Sequence, residues 1–403
     1  MEFNNSVLYR LEGEWEYFPN QIVTPEEIAE GKKVPLYAEV PKSFNTYEDK
    51  ALRLPATASA TYRLRVKMPS KTKIYALRIP PPASASRIFI NGNLEAQSGL
   101  VSQDIATTQY GMRLQYLQLP LADNTEIVIQ VTNAYLRNGG ISHPISLGVP
   151  DAVANFRLLA VSNDVFLVVA LFTLGLYFIA LVLFRNPDKS ALYYGLFCIG
   201  AATQTLFLGE RLGHSIFAPM PWPIFYRIEA FIYFADALAF YFFFQTFFPE
   251  AKKSKSLKAL ALVNTIFIFS SFILPLEVLR VLKTPFQFFI GLCIIFIFYY
   301  TVKFALYQIY GARLFLLGFI IVSLGFTIDA LRGSELVAKI HFFPYAVLIF
   351  TLLLAILISA RMLLIHNENI SLSQQLLEAD KLKDEFFEQT SHELRMPIQA
   401  MVQ

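Results

Sequence analysis

Seven long apolar segments constrain the fold of this chain more than any other feature of its sequence. The first, residues 165–184, is an uncharged run of about 20 residues, enough for a helix to cross roughly 30 Å of hydrocarbon. The other candidates are residues 191–209, 223–248, 257–276, 285–305, 312–331 and 342–360. We therefore predict a seven-helix membrane domain over residues 158–361.

The composition favours the same class. Of the 403 residues, 55% are hydrophobic and only 16% are charged, against roughly 25% in soluble domains. A formal net charge of +3 is too small to indicate nucleic acid binding. A chain of this length is expected to hold two or three folding units.

Basic residues in the short loops predict the orientation, because Lys and Arg accumulate on the cytoplasmic side of a membrane. The loops after the odd-numbered segments carry nine of them: Arg185, Lys189, Lys252, Lys253, Lys255, Lys258, Lys303, Arg313 and Arg361. The other side carries five, or six with Arg227 near a helix end: Arg211, Arg280, Lys283, Arg332 and Lys339. We therefore expect the N-terminal region outside and the C-terminus in the cytoplasm.

Residues 1–150 have the pattern of a β domain. Polar and apolar residues alternate over residues 61–68 and 126–131, and less strictly over 74–79. The strand-like residues 87–90 run into Asn91-Gly92, a strong signal for a tight hairpin turn. Prolines and glycines recur throughout, as they do between the strands of a sandwich. We predict an extracytoplasmic β-sandwich that acts as a sensor.

The two cysteines, Cys198 and Cys293, lie in apolar runs and have no metal-like spacing. We interpret them as small buried apolar residues and predict no metal site. The first 20 residues lack the basic flank and apolar stretch of a secretory signal. Either a signal peptide has been removed, which we favour, or the first membrane helix exports the β domain.

A few polar residues lie within the apolar segments. Glu229, Tyr233 and Asp236 fall on one face of the third segment, and Asp329 lies near the end of the sixth. Such groups usually face the interior of a helix bundle. Two interpretations stay open, a polar contact between helices or a role in ligand binding or switching.

Beyond Arg361 the sequence becomes polar but keeps a helical pattern. Apolar residues follow at spacings of three, four or seven: Ile365, Leu372, Leu376, Ala379, Leu382 and Phe386. This spacing indicates a coiled-coil seam with at least one shift in phase. It predicts a parallel homodimer through residues 362–403.

The most specific motif lies at the C-terminal end, where residues 390–395 read Thr-Ser-His-Glu-Leu-Arg. Phe386 precedes His392 by six residues, and Pro397 follows it by five. At about 100° per residue, His392 lies well off the stripe formed by Leu382 and Phe386. It is therefore expected to point to solvent while those residues pack in a bundle.

This stretch of about 20 residues resembles the phosphoacceptor box of histidine kinases. The resemblance implies that an imidazole nitrogen of His392 attacks the γ-phosphoryl group of ATP. It also implies that Glu393 acts as the orienting carboxylate and general base, and that Pro397 bends the helix. Met396 stands where Thr or Asn is usual in kinases that also dephosphorylate their partner, so phosphatase activity is expected to be weak.

Several partners follow from the same resemblance. ATP and Mg²⁺ are expected only with an ATP-binding domain beyond Gln403, so the chain as given is expected to be inactive. The other expected partners are a response regulator, a second copy of the chain, membrane lipid, and a small-molecule or carbohydrate ligand outside. No nucleic acid partner is expected.

The N-terminal region resembles a galactose-binding-like jelly roll. The resemblance rests on features in one order: residues 11–18 around Trp15, residues 60–64, Asn91-Gly92 with Gly99, Gly139-Gly140 and Leu147-Gly148. Taken singly, each is explained by the fold: Trp15 as core, and Gly139-Gly140 as a loop with positive φ. A jelly roll, seven spans and a kinase motif together resemble the bacterial seven-transmembrane receptors with diverse intracellular signalling modules.

The sequence therefore predicts a multidomain fold. An all-β jelly-roll sandwich comes first (1–150), then a seven-transmembrane α-helical bundle (158–361), then a cytoplasmic coiled coil leading into a truncated dimerisation and phosphoacceptor helix (362–403). We expect a sensor histidine kinase in the inner (plasma) membrane of a bacterium. The alternatives are a receptor of the same family with a non-kinase output, such as a nucleotide cyclase, or a transporter. Broken helices, which a transporter would need, are suggested only by Pro219, Pro221 and Pro223, which are predicted to lie in a loop.

Overall fold

The structure is a computed structural model. It describes residues 8–68, 74–111, 113–120, 124–136, 138–185, 189–207, 210, 212–217, 220–332 and 342–402. Over residues 388–402 it describes the course of the backbone only.

The N-terminal region is a β domain of two antiparallel sheets. Its strands are β1 (Tyr9–Arg10), β2 (Gly13–Pro19), β3 (Leu36–Val40), β4 (Ala58–Lys67), β5 (Ile74–Ile79), β6 (Ala85–Ile90), β7 (Asn93–Ser98), β8 (Gln115–Pro120), β9 (Asn124–Asn133) and β10 (Ser146–Gly148), with the short helix α1 (Pro25–Ala29) after β2. One sheet has the order β1-β10-β5-β8 and the other β3-β2-β4-β9-β6-β7. The predicted β domain is confirmed, and its jelly-roll connectivity stays a prediction.

One core fills the space between the two sheets. Trp15, Tyr17 and Tyr62 come from the larger sheet, and Tyr75 and Leu147 come from the smaller one. All five are at most 1% exposed. The interpretation of Trp15 as a core residue is confirmed.

Two turn predictions have different outcomes. The turn between β6 and β7 has Asn91 at φ 49° and Gly92 at φ 87°, as a two-residue hairpin requires. Gly140 also has a positive φ, of 89°. The prediction was wrong for Gly139: its φ is not in that range, and it is needed because a Cβ would lie 2.2 Å from the Phe44 ring.

The rest of the chain is helical. The helices are α2 (Pro150–Arg185), α3 (Lys189–Phe207), α4 (Leu212–Ile216), α5 (Trp222–Phe247), α6 (Lys255–Ile273), α7 (Leu276–Leu306), α8 (Ala312–Arg332) and α9 (Phe342–Val402). Each predicted membrane segment overlaps mainly with one long helix. Within the described residues, five helices are long and apolar enough to cross a membrane, and α8 contributes a shorter apolar stretch, Ala312–Gly325.

The helices extend beyond the predicted segments. α2 begins at Pro150, separated from the end of β10 by one residue, so the seven residues expected between the β domain and the membrane domain, 151–157, are helical. α7 begins at Leu276 and contains Pro285, which was predicted to start the segment. Pro223 lies in the first turn of α5 and not in a loop, at a position where the missing N–H costs nothing. Hydropathy detects only the apolar part of a helix. The first turns of α2 and α7 include polar residues, so the predicted segments were shorter than these two helices.

Contacts with the β domain show which helix ends lie near it. Arg280, at the start of α7, donates from Nη1 to the Ala134 carbonyl oxygen at 3.1 Å. Glu210, which follows α3, pairs with Arg78 of β5. The connections after the second and fourth membrane segments therefore lie on the same side as the β domain. The loop charges predicted this arrangement for the connections after even-numbered segments. Which side faces the cytoplasm stays a prediction.

Candidate functional site

The β domain and the helices are joined by a buried ion pair. Arg78 Nη2 lies 2.7 Å from Glu210 Oε1, and the two side chains are 16% and 9% exposed. The Tyr116 hydroxyl donates to Glu210 Oε2 at 3.0 Å, and the Glu210 N–H donates to Asp164 on α2 at 2.8 Å. Burial, together with the Glu210 charge, raises the pKa of Tyr116 to about 12. This network links β5, β8, α2 and the segment after α3.

Two arginine–aromatic contacts reinforce the same junction. The Arg157 guanidinium on α2 lies 4.4 Å from the centre of the Tyr116 ring, and that of Arg78 lies 5.1 Å from the centre of the Phe156 ring. Cations over aromatic faces are favourable, and more so when water is excluded. The β domain is thus held to α2 by side-chain contacts as well as by the short chain connection from β10 to α2.

The β domain and the helices also share a cavity of about 590 Å³, which we call the junction cavity. Its walls come from both parts of the molecule: Gln97, Ser98, Gly99, Thr108, Gln109, Tyr110, Gly111, Arg113 and Tyr135 from the β domain, and His214, Phe217, Met220, Pro221, Trp222, Pro223 and Phe225 from the helices. A cavity of this size is in the range of small-molecule sites.

Aromatic rings form much of its wall. The Trp222 ring centre lies 5.1 Å from that of Tyr110 and 4.6 Å from that of Tyr135. His214 lies 4.3 Å from Phe225 by ring centres, and its Nε2 is 3.3 Å from the Tyr110 hydroxyl. Rings from the two domains therefore meet across the cavity.

A glycine contact shapes the loop that carries Tyr110. Gly99 has φ +71°, and a Cβ on Gly111 would lie 2.0 Å from the Gly99 nitrogen. The Gly111 N–H donates to the Ser84 carbonyl oxygen at 2.8 Å. Only residues without a side chain allow this approach, so the loop is held tightly against the sheet.

Among the lining residues, Arg113 carries the permanent charge. Arg113 is exposed, and its backbone N–H donates to Ser98 Oγ at 3.0 Å. Among the described residues its guanidinium forms no ion pair, and no acidic side chain is part of the lining. The net formal charge of the lining side chains is therefore positive.

Within the helices, the predicted polar face is only partly buried. Asp236 is 8% exposed, and its Oδ2 accepts from Gln204 Nε2 on α3 at 3.0 Å. Glu229 and Tyr233 are half-buried, and the Asp329 side chain lies outside the described residues. The Asp236–Gln204 contact is an interhelical packing contact; a role in ligand binding or switching stays a prediction.

Helix α9 runs without a break over 61 residues, from the bundle to the end of the predicted phosphoacceptor motif. Leu354 and Ile358 are fully buried in the bundle, whereas residues 363–387 are all exposed. At the boundary, Arg361 Nη1 donates to the Phe247 carbonyl oxygen at 2.5 Å, and its guanidinium lies 4.9 Å from the centre of the Phe247 ring. Arg361 thereby caps the C-terminal end of α5, where a positive charge is favourable.

The predicted motif residues all lie on α9. Phe386 is 65% exposed in the single chain, and its ring centre is 6.2 Å from that of Phe387. The side chains of His392, Glu393 and Pro397 lie outside the described residues. The helix continues through Pro397 to Val402, so the proline does not end it. The coiled-coil seam is likewise exposed, and its pairing stays a prediction.

The junction cavity and the Arg361 contact were not found by sequence reasoning. The sequence Met220-Pro-Trp-Pro223, an aromatic residue between two prolines, is unusual enough to attract attention. No sequence pattern, however, indicates that Trp222 contacts Tyr110 or Tyr135. The cysteine interpretation is supported, since Cys198 is fully buried and Cys293 is half-buried.

Comparison with solved structures finds only weak likeness. A β-glucuronidase from an uncultured Clostridium sp. has 16% identity and a TM-score of 0.27, over 35% of this chain and 28% of that one. A β-glucuronidase from Ruminococcus gnavus in complex with D-glucuronic acid has 13% identity and a TM-score of 0.27, over 36% and 30%. The chain thus spans less than a third of the length of these enzymes, and we infer nothing about its fold or function from them. No curated protein matches the chain.

The comparison with family models is informative. Residues 164–361 match the model described as 7TM diverse intracellular signalling. This range contains the five long helices α3, α5, α6, α7 and α8 and the short helix α4, together with parts of α2 and α9, and it contains none of the strands described in the β domain. Within the part of the chain that the structure describes, five helices are long and apolar enough to cross a membrane. Residues 164–361 are therefore a 7TM diverse intracellular signalling domain, and the chain is a membrane protein with the character of a signalling receptor.

Proposed function

We propose that this chain is the sensing and membrane part of a sensor histidine kinase that autophosphorylates on His392. The observation that carries the proposal is the motif Ser391-His392-Glu393-Leu394-Arg395 on a helix that begins inside the signalling domain. By resemblance, a downstream domain supplies ATP and Mg²⁺, and a response regulator then receives the phosphoryl group.

The chemistry needs few groups from this chain. An imidazole nitrogen of His392 forms a bond to the γ-phosphorus as the bond to the ADP oxygen breaks. Glu393 accepts a hydrogen bond from the other ring N–H and stabilises the positive charge that develops on the ring. Catalysis of this kind depends mainly on positioning and electrostatics.

The exposed seam on α9 supports a homodimer. Leu372, Leu376 and Leu382 are 51%, 70% and 66% exposed in the single chain. A parallel second copy would bury this stripe, as in a two-stranded coiled coil. From Arg361 to His392 the helix extends about 46 Å at 1.5 Å per residue. A displacement of α9 against α5 would thus be carried rigidly to the phosphoacceptor.

The loop charges support an orientation with the β domain outside and α9 in the cytoplasm of a bacterial cell. In this orientation a ligand would reach the β domain or the junction cavity from outside the cell. The receptor itself would be located in the plasma membrane.

The test compares two histidines of the same helix. In the protein extended by its ATP-binding domain, in membrane vesicles with radiolabelled ATP, His392→Gln is expected to abolish acid-labile phosphate. The matched control is His366→Gln, since His366 is an exposed histidine 26 residues earlier on α9. It should leave labelling unchanged.

Phosphohistidine that persists in His392→Gln would contradict the assignment of the residue. A protein with no histidine labelling at all, but with ligand-dependent cyclase activity or solute flux, would favour one of the two alternative functions.

A further inference from the structure

We propose that the junction cavity binds a small organic anion with a planar apolar body, its anionic group paired with Arg113 and its ring packed against Trp222. The inference builds on the proposed function only in that it treats this cavity as the sensory site. Binding can be measured without phosphotransfer, so either proposal can fail alone.

The size and the walls of the cavity favour a planar body. Tyr110, Tyr135 and Trp222 line one part of it and pack against one another, with ring centres 4.6–6.1 Å apart. A planar ligand ring would extend this aromatic cluster by further offset or edge-to-face contacts. A volume of about 590 Å³ leaves room for one or two fused rings with a short substituent.

The charges of the wall favour an anion. Arg113 is the lining residue with a permanent charge, and no described residue neutralises it in an ion pair. The other polar lining side chains, such as Gln97, Gln109 and Thr108, are neutral. A carboxylate or sulfonate can accept two hydrogen bonds from one guanidinium, whereas an amine would meet repulsion.

The position of the cavity gives binding a consequence. Its β-domain wall and its helix wall belong to parts joined by the Arg78–Glu210 pair, and Trp222 is the first residue of α5. The other end of α5 is capped by Arg361 of α9. A ligand that contacts Arg113 and Trp222 together stabilises one arrangement of the β domain on α5, and it shifts the population toward that arrangement.

The test uses three probes with one ring system and different charge: indole-3-acetate, indole-3-acetamide and tryptamine. The full chain in nanodiscs is titrated, and binding is followed by ligand-observed NMR. We expect indole-3-acetate to bind at least tenfold more tightly than the amide, and tryptamine to bind most weakly.

The matched variants are Arg113→Gln and Arg65→Gln, because both arginines are exposed in the β domain and only Arg113 lines the cavity. Arg113→Gln should remove the preference for the anion, and Arg65→Gln should keep it. Trp222→Phe should weaken all three probes together. Thermal melting of each variant verifies folding.

Equal affinity for the three probes, tightest binding of tryptamine, or an anion preference that survives Arg113→Gln would each overturn the proposal. So would the absence of measurable indole-3-acetate binding at millimolar concentration. A neutral sugar that binds in competition with indole-3-acetate, and more tightly, would replace the anion by a carbohydrate as the ligand class.

Discussion

The ion pair between Arg78 and Glu210 should stabilise the junction strongly, because both groups are removed from water. With side chains 16% and 9% exposed, neither charge is well solvated if its partner is lost. Breaking a buried pair by removing one partner costs about 3–5 kcal/mol. At about 2–4 °C per kcal/mol for a folding unit of this size, Arg78→Met should lower the melting temperature by at least about 6 °C.

The chain supplies its own reporter for this measurement. Cys198 is fully buried on α3, the helix that precedes Glu210, and Cys293 lies on α7. A thiol-reactive fluorescent dye therefore reports unfolding of the helices in detergent or nanodiscs. Scans are compared at one fixed rate, since unfolding of such a chain need not be reversible.

A double replacement separates the pair from general packing. Glu210→Gln keeps an acceptor for the Tyr116 hydroxyl but leaves Arg78 charged and unpaired. The combination with Arg78→Met removes both charges, so it should melt closer to the parent than either single variant. Arg87→Met is the control, since Arg87 is also half-buried, on β6. Additive shifts, or single variants within about 1 °C of the parent, would refute the reasoning.

Two further predictions concern α9 and the orientation. Arg361→Ala should weaken the capped end of α5 by about 1.5–3 kcal/mol, because a charged hydrogen bond to the Phe247 carbonyl is lost; the same dye assay measures it, and an unchanged melting temperature would show that the contact does not contribute. In a version without the native cysteines, a membrane-impermeant maleimide should label Glu95→Cys in intact cells and Ser373→Cys only after lysis, both positions being exposed. The reverse pattern would contradict the orientation and with it the kinase proposal.

Local patterns were sufficient for much of the fold. Alternation over residues 61–68 and 126–131 predicted strands β4 and β9, and Asn91-Gly92 predicted the β6–β7 turn, because these signals depend on neighbours in the chain. The apolar segments predicted the seven long helices for the same reason. α7 begins nine residues before Pro285, in a stretch that contains charged residues. Hydropathy does not mark such a stretch as part of a membrane helix, so the predicted segment was shorter than the helix.

The sequence by itself determined the order of the parts, and it supplied the motif around His392 on which the kinase proposal rests, since both depend on contiguous stretches of the chain. Only the tertiary structure decided which distant residues meet. Arg78 reaches Glu210 across 132 positions and Arg361 reaches Phe247 across 114, while Tyr110 and Tyr135 join Trp222 in one wall. Such contacts depend on how the β domain packs on the helices, a property of the whole chain that no local period or spacing encodes.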